Sequence, residues 1–156
     1  MKPLTACLSI LLICSVCFAQ GNAFKVRYNG GTVTTKVKPD SWDNQLTVSS
    51  TEILLLLKDK QTVKIDPKRV AGLSYGKNAS RNIKGYAAAA ILINPLFALG
   101  MFKKNKQHFV GITYETESGE KGAVLLQAKN DKYRGLLEAL KGVTGKPVDT
   151  DEKEKP

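Results

Sequence analysis

His108 is the sequence's single histidine. Imidazole is the side chain suited to proton transfer or metal ligation near neutral pH, but either task needs companions. No Cys, Asp or Glu set stands around His108 at ligand spacing. His108 shares strand parity with Val110 and Ile112, so it reads as a structural or interfacial residue. Glu115 and Glu117 would share a strand face and could in principle form an acid/base pair. They border Glu117-Ser118-Gly119-Glu120, a turn signal, and read as a solvated hairpin end. Gly30-Gly31 is not followed by a helical pattern or Lys-Ser/Thr, which a phosphate loop requires, and reads as a turn with Asn29. Asn78-Ala79-Ser80 fits a glycosylation sequon. Nothing here amounts to a catalytic constellation, and the expectation is a non-enzyme without a cofactor or metal.

The cysteines bear on the same point. Cys7, Cys14 and Cys17 all fall in a leader-like segment, 1–19. Lys2 is its charge, Leu8 to Ile13 its apolar stretch, and Cys17-Phe18-Ala19 the small-residue pattern of a cleavage site. Cleavage is expected after Ala19, with Ala23 the second choice. Bulky Ile13 and Val16 before Cys14 and Cys17 argue against a lipobox. An exported chain starting at Gln20 then has no thiol, so neither disulfides nor thiolate chemistry can serve it.

The net charge of +10 becomes +9 without Lys2. For an exported protein such a balance suits anionic lipid head groups or envelope polymers, and nucleic acid is not an expected partner. A solvated basic surface without a partner is the plainer alternative.

From Gly85 to Phe102 eighteen residues carry no charge, enough for a membrane candidate. The insertion, 83–106 with its flanks, has a basic rim of Lys77, Arg81, Lys84, Lys103, Lys104 and Lys106. Asn94-Pro95 at its middle is a turn dipeptide. Basic residues on both flanks give no orientation signal. A helical hairpin entering one leaflet, a full span and a helix buried in protein all remain open. For the hairpin, membrane contact falls to Ile91, Leu92, Ile93, Leu96, Phe97, Leu99, Met101 and Phe102.

The elements around this insertion alternate with the strand period. Val26 and Tyr28 mark one strand, ended by Asn29-Gly30-Gly31; Thr32 to Val37 is β-branched and reads as the next. A loop with Trp42, the single tryptophan, precedes strands at Leu46–Val48, Glu52–Leu57, Thr62–Ile65 and Val70–Gly76. After the insertion come a hairpin, Val110–Tyr114 with Gly122–Gln127, and a helical pattern at Tyr133, Leu136, Leu137, Leu140 and Val143. Asn130 or Asp131 is the expected N-cap, and Gly142 or Gly145 the stop. Residues 146–156 read as a charged, disordered tail, whose removal from Asp149 on should barely affect melting.

The fold class expected is mainly β: seven or eight short antiparallel strands in a small barrel or sandwich, closed by one C-terminal amphipathic helix, with an inserted apolar helical segment. QLTVSSTEILLLLKDKQTVKIDPKRVAGLSYG, HFVGITYETESGEKGAVLLQ and YRGLLEALKGV together resemble a bacterial pleckstrin-homology-like or GRAM-like domain, here over 24–145. The resemblance implies that fold. The functional expectation is an exported, membrane-associated binding or scaffold module on the periplasmic or extracellular side of the cell envelope. Its partners would be anionic lipids, or a membrane or envelope protein. The alternative is a soluble exported enzyme or lipid-binding protein whose apolar segment lines a pocket.

Overall fold

The computed structural model describes residues 22–77 and 107–150. These form one sheet of eight strands: β1 (Asn22–Gly31), β2 (Asn44–Val48), β3 (Ile53–Leu56), β4 (Thr62–Ile65), β5 (Val70–Gly76), β6 (His108–Glu115), β7 (Lys121–Ala128) and β8 (Val148–Thr150). A single helix, α1 (Tyr133–Thr144), lies between β7 and β8. The strand order is β4-β3-β2-β1-β7-β6-β5-β8. Two antiparallel meanders, β1–β4 and β5–β7, are thus joined where β1 pairs with β7. With β4 and β8 at its two edges the sheet is open, and the barrel closure expected as one option is not formed.

Alternation puts Val26, Leu46, Ile53, Leu55, Val63, Ile65, Leu73, Val110, Ile112, Val124 and Leu126 on one face, where they form the core. The helix covers that face. Leu136 and Leu140, one turn apart, are fully buried; Tyr133, Leu137, Ala139 and Val143 pack beside them half-buried. Gly145 ends α1 in the left-handed region at φ 65°, its N–H bonded to the Lys141 carbonyl.

Four local expectations are corrected. Asn29-Gly30-Gly31 is not a turn: β1 runs straight through it, with a register shift between Tyr28 and Gly30. The glycines, at φ 147° and 155°, let the bulged strand stay against β7. Thr32 to Val37 is loop, not strand. β1 already has a neighbour on each side, and the threonine hydroxyls bond to other segments instead. Thr32 Oγ1 accepts from Ala123 N at 2.7 Å, and Thr35 Oγ1 donates to Asp59 at 2.6 Å.

At the helix start, Lys132 is the N-cap and makes no side-chain cap bond. A turn bonded to the Lys129 carbonyl (Lys132 N and Tyr133 N, both 3.0 Å) leads straight into the helix, past Asn130 and Asp131. Finally, Val148–Thr150, read as tail, is a strand lying parallel to Leu73–Tyr75. Not every strand is therefore antiparallel. Residues 151–156 of the expected tail and the inserted segment fall outside the described residues, among which no helix is long and apolar enough to cross a membrane.

Candidate functional site

The ends of β5 and β6 are where the sheet meets the insertion. Gly76 pairs with Phe109 across the β5–β6 ladder. The chain therefore leaves after Lys77 and re-enters before His108 at neighbouring positions of one sheet end. Lys77 is exposed, and His108 is buried at 8% exposure.

Three aromatic rings gather at this end. His108 lies on the core face of β6, as its parity predicts. Its Nδ1 is 2.7 Å from the Tyr75 hydroxyl of β5, which can donate to a neutral imidazole. Tyr133, the first residue of α1, stacks on His108 with ring centroids 3.7 Å apart and planes 5° from parallel. Tyr75 stacks in turn on Tyr133 at 5.4 Å. Arg134 Nε donates to the Tyr133 hydroxyl at 3.0 Å, which brings a guanidinium to the same end. The histidine thus joins the helix start to the sheet.

Burial first, then the charges of Lys77 and Arg134, hold the His108 pKa below its ordinary 6.5. The unfolded chain takes up that proton more readily, so acid favours unfolding. Stability from this site is complete above pH 6.5 and is lost as pH falls from there toward the depressed folded value. Thermal melts of the wild type should fall in that window, and those of His108→Phe should fall less. Identical pH profiles would show that His108 does not titrate between the two states.

A second cluster lies at the loop before β2. Arg27 Cζ sits 4.4 Å from the Trp42 ring centroid and Lys129 Nζ 5.5 Å from it. Trp42 lies against Arg27 of β1 and borders an open cleft of about 720 Å³ with Lys36, Lys38, Asp43 and Asp59. The loop is fastened by Asn44, fully buried, whose side chain bonds Ser41 O at 3.1 Å and Lys58 N at 3.0 Å.

The face opposite α1 carries Phe109, Ala123 and Leu125, all buried but outside the main core, together with Gln127. There Asn29 is 1% exposed and both its amide atoms lack partners among the described residues; Arg27 Nε lacks one too.

Of the residues expected to meet a membrane, Lys77 is described and lies at the sheet end. Ile91, Leu92, Ile93, Leu96, Phe97, Leu99, Met101, Phe102, Arg81, Lys84, Lys103, Lys104 and Lys106 lie outside the described residues. Glu115 and Glu117 are exposed at the β6–β7 hairpin end. Sequence reading missed the Tyr75–His108–Tyr133 stack. Parity could have put Tyr75 and His108 on one face, but nothing local tells where a helix will dock. No protein-family model and no curated protein matches this chain.

Proposed function

We propose that this protein is an exported, membrane-associated binding module of the cell envelope. The apolar segment Gly85–Phe102 holds it at the membrane face, with lysines at head-group level. The sheet, read as a pleckstrin-homology-like domain, presents the binding surface. The observation that carries this reading is the pairing of Gly76 with Phe109. A single crossing would leave β5 and β6 on opposite sides of a bilayer, whereas these strands share hydrogen bonds. A segment that leaves and returns at one sheet end suits a shallow hairpin. Two nine-residue arms about the Asn94-Pro95 turn would each reach about 13 Å, within one leaflet.

Membrane fractionation tests it. Each large apolar side chain inserted contributes about 1.5–3 kcal/mol before ordering costs, more than the ~1 kcal/mol of a nearby lysine. High salt alone should leave the protein on membranes. Leu96→Lys with Phe97→Lys should release it with the sheet still folded, as read by circular dichroism. Release of the wild type by salt would mean that charge alone holds it. Unfolding of the double variant would assign the segment to the core.

One observation favours a second reading. Phe109, Ala123 and Leu125 with the unpartnered Asn29 make an apolar face carrying polar groups, which suits a soluble protein holding a lipid or other apolar ligand between this face and the insertion. Recovery of the wild type in the soluble extract with bound lipid would favour it.

A further inference from the structure

We infer that the cleft beside Trp42 is a saccharide site, one that takes a stretch of neutral polysaccharide with a sugar ring laid against the indole. The inference rests on the reading of the sheet as a binding surface, names the ligand class for it, and does not draw on membrane attachment.

Two segments build the cleft. The stretch from Lys36 to Asp43, between β1 and β2, forms one wall. Lys58 and Asp59, at the turn between β3 and β4, form the other. Side chains tie the walls together. Thr35 Oγ1 donates to Asp59 Oδ2 at 2.6 Å, and Lys58 Nζ donates to Asp43 Oδ2 at 2.6 Å. Lys58 N donates to the buried Asn44 side chain at 3.0 Å. The cleft therefore keeps its shape without a ligand, which spares a binding partner the cost of ordering it. Its volume of about 720 Å³ falls in the range of roughly 300–1,000 Å³ usual for ligand sites.

The chemistry of the walls selects the ligand. Trp42 is half-buried. Arg27 of β1 and Lys129, just past β7, approach its ring, and the ring also lines the cleft. An indole face is apolar and carries partial negative charge, which suits the C–H face of a sugar ring. Around it Lys36, Lys38 and Lys58 offer donors, and Asp40, Asp43 and Asp59 offer acceptors. Sugar hydroxyls both donate and accept, so they can meet either kind. Hydrogen bonds from Lys58 to Asp43 and from Thr35 to Asp59 hold both carboxyls below the usual carboxylate range, so both stay ionised acceptors. Asp43 takes its side-chain bonds from Lys58 and Ser41 on Oδ2, which leaves Oδ1 for a ligand.

Charge argues for an uncharged ligand. The lining balances, three lysines against three aspartates. Beyond it Lys25, Arg27 and Lys129 add positive charge. A cationic ligand would meet all these bases, and an anionic one would meet three carboxylates at the contact itself. A neutral polyhydroxylated chain avoids both repulsions.

Trp42 is the single tryptophan, so its fluorescence reports on the cleft alone. The protein is titrated with neutral hexasaccharides of glucose, xylose and N-acetylglucosamine, and with hexagalacturonate as the acidic counterpart, by fluorescence and by calorimetry. At least one neutral sugar should shift the Trp42 emission and bind with a Kd of about 1 mM or tighter. Trp42→Ala, read by calorimetry, should weaken that binding about tenfold or more, as truncating a central aromatic contact does. Asp40→Ala combined with Lys38→Ala, both exposed, should weaken it about fivefold at an unchanged melting temperature. Lys141→Ala, on α1, should have no effect.

No response to any of the neutral sugars would overturn the site while leaving membrane attachment standing. A response to hexagalacturonate alone would assign the cleft to an anion and overturn the neutral ligand. Binding that survives Trp42→Ala would place the sugar elsewhere. Should Trp42→Ala fail to fold, the Asp40/Lys38 double variant decides by fluorescence, and unchanged binding there overturns the site.

Discussion

Leu136→Ala should lower the melting temperature by about 10 °C or more. Leu136 is fully buried between α1 and the core face of the sheet, as is Leu140 one turn on. Truncating such a leucine removes its transfer free energy and leaves a cavity, a cost of about 2–5 kcal/mol. In a domain of this size each kcal/mol moves the melting temperature by several degrees. Leu137, equally apolar in sequence, is only half-buried, and Leu137→Ala should cost less than half as much. Calorimetric melts of the two variants check the orientation of the helix. Equal losses would mean that α1 is rotated away from the face described.

Gly31→Ala should be the most damaging single-methyl change. A Cβ at Gly31 would run into the backbone carbonyl of Ala123, and would sit 2.8 Å from the Tyr28 hydroxyl and 3.0 Å from Val124 Cα. Backbone on two central strands cannot step aside as the tip of a long side chain can, and φ 155° is unfavourable for any residue with a Cβ. The strain alone is about 1–3 kcal/mol, and displacement of β1 from β7 adds to it. Gly142→Ala is the internal comparison. Gly142 is helical with nothing near its would-be Cβ, so alanine there should gain up to about 1 kcal/mol. Urea titrations of both variants measure the contrast. A Gly31→Ala protein as stable as the wild type would show that the bulge opens freely.

Much of the sheet was legible because its signal is local. Val63 and Ile65, Leu73 and Tyr75, Val110 and Ile112 alternate in sequence as they do in space, and Asp66-Pro67 breaks the chain where β4 ends. The helix was legible from Tyr133 to Val143 by the same logic at a different period. What failed depended on neighbours. Asn29-Gly30-Gly31 has turn composition, but the strand continues because β7 is there to pair with it. Thr32 to Val37 has strand composition, but β1, which it follows, already has a neighbour on each side. Leu137 could not be ranked below Leu136 from spacing, since both fall on the apolar stripe. The candidate site was half legible. His108 was placed on the inward face, yet its stacking on Tyr133 beside Tyr75 depends on how a distant helix docks.

The short final strand has a consequence for company rather than for stability. Without Val148–Thr150, the outer backbone groups of Leu73–Tyr75 would stand open, an invitation to any extended segment in register. The protein answers it with its own C-terminal residues, carried round by α1 to lie alongside. A molecule that lost them could keep its core and its helix and still become adhesive, offering each copy a place to dock the next. Those three residues act as a stopper, and they matter most wherever copies of the chain are crowded together.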